Sequence, residues 1–94
     1  MRKILIIEDE SAFREAIAFA LEAADYEVLQ AENGAEGIEL ARTRIPDLIV
    51  SDVMMDSVDG YEALVSLRQD RRTTGIPIIL MTGKVDNEGL VRAM

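Results

Sequence analysis

Residues 48–60 constrain the fold more than any other stretch. Leu48-Ile49-Val50-Ser51 is a short, mostly apolar run that ends on Asp52. A run of this kind, without polar alternation, reads as a strand buried on both faces, as in a parallel sheet. A loop follows, and Asp59-Gly60-Tyr61-Glu62 then has the form of a capping box opening a helix to about Gln69. A carboxylate between a strand end and a helix start lies where open α/β sheets keep their chemistry. Ile4-Leu5-Ile6-Ile7 repeats the arrangement and ends in Glu8-Asp9-Glu10.

The rest of the chain fits around these two runs. Ser11 is a candidate cap for a helix with apolar residues Phe13, Ile17, Ala20, Leu21 and Ala24 at helical spacing. Tyr26 to Ala31 is a second, more polar strand, suited to a sheet edge. Asn33-Gly34-Ala35-Glu36 is another capping box; its helix runs to about Arg44, packs through Ala35, Ile38 and Ala41, and is ended by Pro46. Thr73-Thr74-Gly75 reads as a turn and Pro77 to Met81 as the fourth strand, with proline tolerated at its start. Thr82-Gly83-Lys84-Val85 reads as loop, and Asp86 as the cap of a short last helix ending at Met94. The β-α-β-α-β-α-β-α pattern predicts a doubly wound α/β fold, a parallel sheet with helices on both faces, and the strand order expected for it begins 2-1-3-4. The winding reverses between strands 1 and 3, so Glu8, Asp9 and Asp52 should converge at the carboxyl ends of those strands.

Composition narrows the chemistry. With 94 residues, 49% of them apolar, the chain predicts one small domain spanning 1–94. A formal net charge of −8 repels nucleic acid and anionic lipid, so no direct nucleic-acid role is expected. The absence of cysteine and histidine excludes disulfides, thiolate or imidazole metal sites and Ser-His-Asp triads, and is compatible with a cytoplasmic home. The apolar run behind Met1-Arg2-Lys3 is too short for a signal peptide or a membrane span.

Three converging carboxylates with no nitrogen or sulfur ligand suit Mg²⁺, or Mn²⁺. A carboxylate beside such an ion can itself be a nucleophile and form an aspartyl phosphate. Thr82, at the end of strand 4, offers a hydroxyl to a phosphoryl oxygen, while Ser51 alternates to the other face. Each residue alone has a plainer reading. Glu8-Asp9-Glu10 could be a solvated turn favouring the next helix dipole, Asp52 a turn residue, Thr82 a β-branched strand end, and Lys84 a solvated loop charge. Met54, Met55 and Met81 alone read as packing residues. The joint placement of Asp9, Asp52 and Thr82 at three strand ends favours a functional site.

On these residues the chain resembles the receiver domain of bacterial two-component response regulators. The matching segments are Ile4 to Glu10, Asp52-Val53-Met54-Met55 with Asp59-Gly60-Tyr61-Glu62, and Ile76 to Thr82, in order and at the expected spacing. The resemblance implies that Asp52 accepts a phosphoryl group from a phosphohistidine on a sensor histidine kinase or phosphotransfer protein. It implies that Glu8, Asp9, Asp52 and the backbone carbonyl of Met54 hold Mg²⁺, with Glu8 binding directly or through water. Thr82 would bind the phosphoryl group, and Met54 and Lys84 occupy positions that tune dephosphorylation. The family's role is switching; a receiver takes part in its own phosphorylation and dephosphorylation but is not an enzyme acting on others.

The chain departs from the family pattern at Asp56, where proline is usual, and at Gly83, where alanine is usual. The family continues into a fifth strand carrying a lysine, an aromatic switch residue and a last helix, and no residue here matches that lysine. The domain is therefore expected to be incomplete at its C-terminus, with strand 4 an exposed edge that drives self-association as a homo-oligomer. Two other functions compete: a degenerate receiver acting only as an interaction module, and an aspartyl-nucleophile phosphohydrolase. The phosphohydrolase is disfavoured because Met54 stands where a second acid is needed. Flavin binding is disfavoured by the lack of a phosphate loop after strand 1.

Overall fold

The computed structural model describes residues 2–52, 60–81 and 91–93. In chain order the elements are β1 (Lys3–Ile7), α1 (Ser11–Ala23), β2 (Glu27–Ala31), α2 (Gly34–Arg44), β3 (Leu48–Asp52), α3 (Gly60–Gln69), β4 (Ile78–Met81) and β5 (Val91–Ala93). The sheet order is β2-β1-β3-β4-β5, and the first four strands are parallel. This is the doubly wound α/β arrangement expected from the sequence.

Strand alternation sorts the core into two faces. Leu5, Ile7, Ile49, Ile78 and Leu80 form one buried cluster with Ala41 of α2 and Leu67 of α3. Ile4 and Ile6, also buried, alternate to the opposite face, where α1 packs across β1 and β2. Lys3 and Asp47 exchange bonds at the start of β1 and β3. The Lys3 N–H donates to Asp47 Oδ2 at 2.7 Å, and the Asp47 N–H donates to the Lys3 carbonyl at 2.7 Å. That pairing sets the register Ile7↔Ser51 at the far end of the two strands.

Several local expectations are corrected. Ser11 is the first helical residue of α1 rather than its cap; Glu10 holds the cap position without a side-chain cap bond. The apolar face read for α1 is also displaced. Only Ala18 is fully buried, Ile17 and Leu21 are half-buried, and Phe13, Ala20 and Ala24 are exposed. Apolar residues cover well over half of the circumference of α1, so periodicity does not specify which part of that broad face turns inward. In α2, Ala35 is exposed, and Gly34, Gly37 and Ala41 are the buried residues. The helix approaches β1 at Gly37, where a Cβ would lie 2.6 Å from Ile7 Cγ1.

The sheet's far edge differs most. β5 pairs antiparallel with β4 through Ile79↔Ala93, Leu80↔Arg92 and Met81↔Val91, so β4 is not an exposed edge, and residues 91–93 are strand rather than helix. The unpaired backbone groups of β4 find partners in the chain itself. The connection 82–90 is shorter than the dozen or so residues a parallel crossover needs, which favours the antiparallel return. The Asp59 and Asp86 caps, the loop residues Asp56 and Gly83, and Met55 lie outside the described residues.

Candidate metal and phosphoacceptor site

The switch point between β1 and β3 brings three carboxylates together. Glu8 directly follows β1, Asp52 ends β3, and the parallel register sets these strand ends side by side. Oxygen atoms of Glu8, Asp9 and Asp52 all lie within 4.8 Å of one another. Glu8 and Asp52 are buried, at 0% and 1% exposure, and Asp9 is half-buried. At this separation two like charges repel by roughly 3 kcal/mol per pair at an effective dielectric constant of about 20. A divalent cation between them reverses the sign of that interaction.

The donor set fits such an ion. Mg²⁺ bonds oxygen at about 2.1 Å in an octahedron, so its ligand oxygens lie about 3 to 4.2 Å apart. Oxygens already within 4.8 Å need only small side-chain adjustments to reach that range. All three donors are hard carboxylate oxygens, which suits Mg²⁺ or Mn²⁺ over softer metals.

The turn bearing Glu8 and Asp9 is fixed by hydrogen bonds to β2 and to the first turn of α1. The Glu8 N–H donates to the Ala31 carbonyl of β2 at 3.0 Å. The Glu10 N–H donates to Glu8 Oε2 at 2.8 Å, folding the start of α1 over the Glu8 carboxylate. Arg14 Nη1 donates to the Glu8 carbonyl at 2.9 Å, and Arg14 Nε donates to Gln30 Oε1 on β2 at 3.2 Å. The sequence reading did not single out Arg14. A signal was present: a cation in the first turn of a helix opposes the helix dipole and marks a specific contact.

Ser51, buried beside Asp52, alternates to the opposite face as expected. The register Asp52↔Met81 sets the end of β4 next to Asp52. Thr82, Lys84 and Met54 lie outside the described residues, so the structure joins Glu8, Asp9 and Asp52 and does not describe the other three.

At the opposite end of the strands, a cleft of about 550 Å³ is lined by Arg42, Ser66, Gln69, Asp70, Arg71 and Arg72. It is organised by an ion-pair cluster away from the carboxylates. Asp70 accepts from Arg72 Nη2 at 2.9 Å and pairs with Arg42 Nε at 2.8 Å. The Arg72 side-chain hydrogen bonds, seconded by the Arg72 backbone N–H, hold the Asp70 carboxyl well below the usual carboxylate range. Nearby, Thr73 Oγ1 donates to the Leu67 carbonyl at 2.6 Å, and Arg68 Nη1 donates to the carbonyls of Thr74 and Ile76 at 2.6 and 2.8 Å. These bonds fasten the α3–β4 connection and so set where β4 begins.

Comparison with known proteins agrees with this geometry. The profile of the response regulator receiver domain family matches residues 4–94. The phosphate regulon transcriptional regulatory protein PhoB of Pseudomonas aeruginosa is 40% identical over 93 residues, covering 99% of this chain and 41% of PhoB. Protein PilH of the same organism is 37% identical over 84 residues, covering 89% of this chain and 69% of PilH. The chemotaxis protein CheY4 of Vibrio cholerae superposes with a TM-score of 0.86 at 31% identity, covering 94% of this chain and 73% of that one. The chain thus spans about two fifths of PhoB. Among the described residues no helix is long and apolar enough to cross a membrane. A parallel sheet wound 2-1-3-4, an acidic trio at its switch point and a family match along nearly the whole chain lead to one conclusion: this chain belongs to the response regulator receiver domain family of two-component signalling.

Proposed function

We propose that this chain is a phosphorylation-dependent switch in which Asp52 accepts a phosphoryl group from a sensor histidine kinase or phosphotransfer protein. The observation that carries the reading is the meeting of the Glu8, Asp9 and Asp52 oxygens within 4.8 Å at the ends of β1 and β3. An Asp52 oxygen attacks phosphorus, the bond from phosphorus to the donor's imidazole nitrogen breaks, and an acyl phosphate results. Glu8, Asp9, Asp52 and the Met54 carbonyl would hold Mg²⁺ or Mn²⁺. When bound, the ion offsets the charge of the phosphoryl oxygens. The buried wall of β1 and β3 fixes the direction of Asp52 and limits the water that could hydrolyse the product. Thr82 would contact the phosphoryl group, and Lys84 would tune its lifetime. The chain acts on itself rather than on a separate substrate. The reading includes a cytoplasmic location and no direct contact with nucleic acid by this acidic domain.

Self-association by edge pairing has less support than the sequence suggested. β5 covers the β4 edge, which leaves β2 and the three-residue β5 at the sheet's margins. The test is intact mass after incubation with Mg²⁺ and a small acyl-phosphate donor. One added phosphoryl group, lost in Asp52→Asn and without the metal, supports the switch. A folded chain that gains none supports the interaction-module alternative.

A further inference from the structure

The geometry points to Arg14 as a positioning residue that sets the metal affinity of the acidic site. This inference rests on the reading of that site as a Mg²⁺ centre. Three hydrogen bonds close a ring within residues 8–14. The Arg14 N–H donates to the Glu10 carbonyl at 2.9 Å. The Glu10 N–H donates to Glu8 Oε2 at 2.8 Å, and Arg14 Nη1 donates to the Glu8 carbonyl at 2.9 Å. Arg14 Nε, bonded to Gln30 at 3.2 Å, fastens the ring to β2.

The ring acts on two ligands at once. Because a peptide unit is planar, holding the Glu8 carbonyl fixes the plane of the Glu8–Asp9 peptide and with it the position of the Asp9 Cα from which that side chain departs. The same ring orients the Glu8 carboxylate through the Glu10 N–H. Preorganised ligands lose less freedom when an ion binds. Arg14 is half-buried and its guanidinium makes two directed contacts, which a free surface charge does not do.

A purely electrostatic role requires the opposite sign. A guanidinium close to a cation site weakens cation binding, so removing its charge would tighten it. Positioning requires that removal loosen it. The test is calorimetric titration of Mg²⁺ into the folded 94-residue chain, alongside amide exchange of Glu10 in the absence of metal. Arg14→Gln is expected to weaken Mg²⁺ binding by about five-fold or more, the loss of roughly one charge-assisted hydrogen bond. Its Glu10 amide is expected to exchange about ten-fold faster as the ring opens.

Gln30→Ala is the second variant. Gln30 is exposed, so the fold tolerates its loss, and the Arg14 charge is kept. A smaller weakening in the same direction is expected. Unchanged or tighter Mg²⁺ binding in folded Arg14→Gln, or in Gln30→Ala if Arg14→Gln does not fold, would overturn the inference. Should the parent chain itself bind no Mg²⁺, the reading of the site fails. The Glu10 exchange rate then decides the positioning role by itself: faster exchange in Arg14→Gln upholds the ring, and unchanged exchange refutes it.

Discussion

Glu8 and Asp52 are carboxylates where a sheet of this kind normally buries apolar groups, and their neighbour Asp9 adds a third charge. Replacing one of them by its amide keeps the shape and removes two repulsive pairs. Asp52→Asn is therefore expected to raise the melting temperature of the metal-free chain and to shrink the further rise that Mg²⁺ gives the parent. Thermal denaturation with a chelator and then with excess Mg²⁺ measures both effects. Gly37 makes a different demand. A methyl there meets the Ile7 side chain, so Gly37→Ala is expected to cost about 1–3 kcal/mol by overpacking. Trimming Ile7 to Val in the same chain should recover part of that loss, as a double-mutant cycle in urea would show. At this scale the acidic residues were legible because a charge ending an apolar run breaks a pattern. Arg14 was not, since its partners are a backbone carbonyl and a side chain on β2, contacts that no spacing rule encodes.

The helices were legible as elements but not in their orientation. Asn33 caps α2 as its type suggested, accepting from the Glu36 N–H at 2.8 Å. The glutamate reaches one residue further back than a standard capping box, accepting from the Glu32 N–H at 3.0 Å. Asn33→Ala should cost about 1 kcal/mol, read from the urea midpoint at unchanged slope. Which face turns inward was decided by tertiary contact: Gly37 against Ile7 brings the glycines in and leaves Ala35 outside. The α3–β4 connection is an electrostatic element. Asp70 has a folded pKa below its unfolded one, so its contribution is complete above the ordinary carboxylate value of about 3.9 and fades as pH falls towards the folded value. The stability gap between parent and Asp70→Asn should be full at neutral pH, begin to close below about pH 4 and narrow steadily as the pH falls further. A gap that persists undiminished at low pH would assign the effect to something other than this charge.

For the whole molecule, four parallel strands followed from buried apolar runs alternating with helical stretches, and the structure has them in the expected order 2-1-3-4. β5 did not, because Val91-Arg92-Ala93 carries no strand pattern and pairs only because β4 offers an edge. The winding reversal puts the ends of β1 and β3 together and joins the Glu8-Asp9 pair to the sequence-distant Asp52 in one acidic site. The chain belongs to the receiver family, and the measurement that tests the chemistry proposed for the site most directly is phosphorylation of Asp52. The chain would be incubated with a small acyl-phosphate donor, with and without Mg²⁺, and weighed intact beside Asp52→Asn. The expected result is one phosphoryl group on the parent in the presence of Mg²⁺ and none on the variant or in the presence of a chelator. A folded parent that gains no mass, or an Asp52→Asn variant that gains as much, would contradict it.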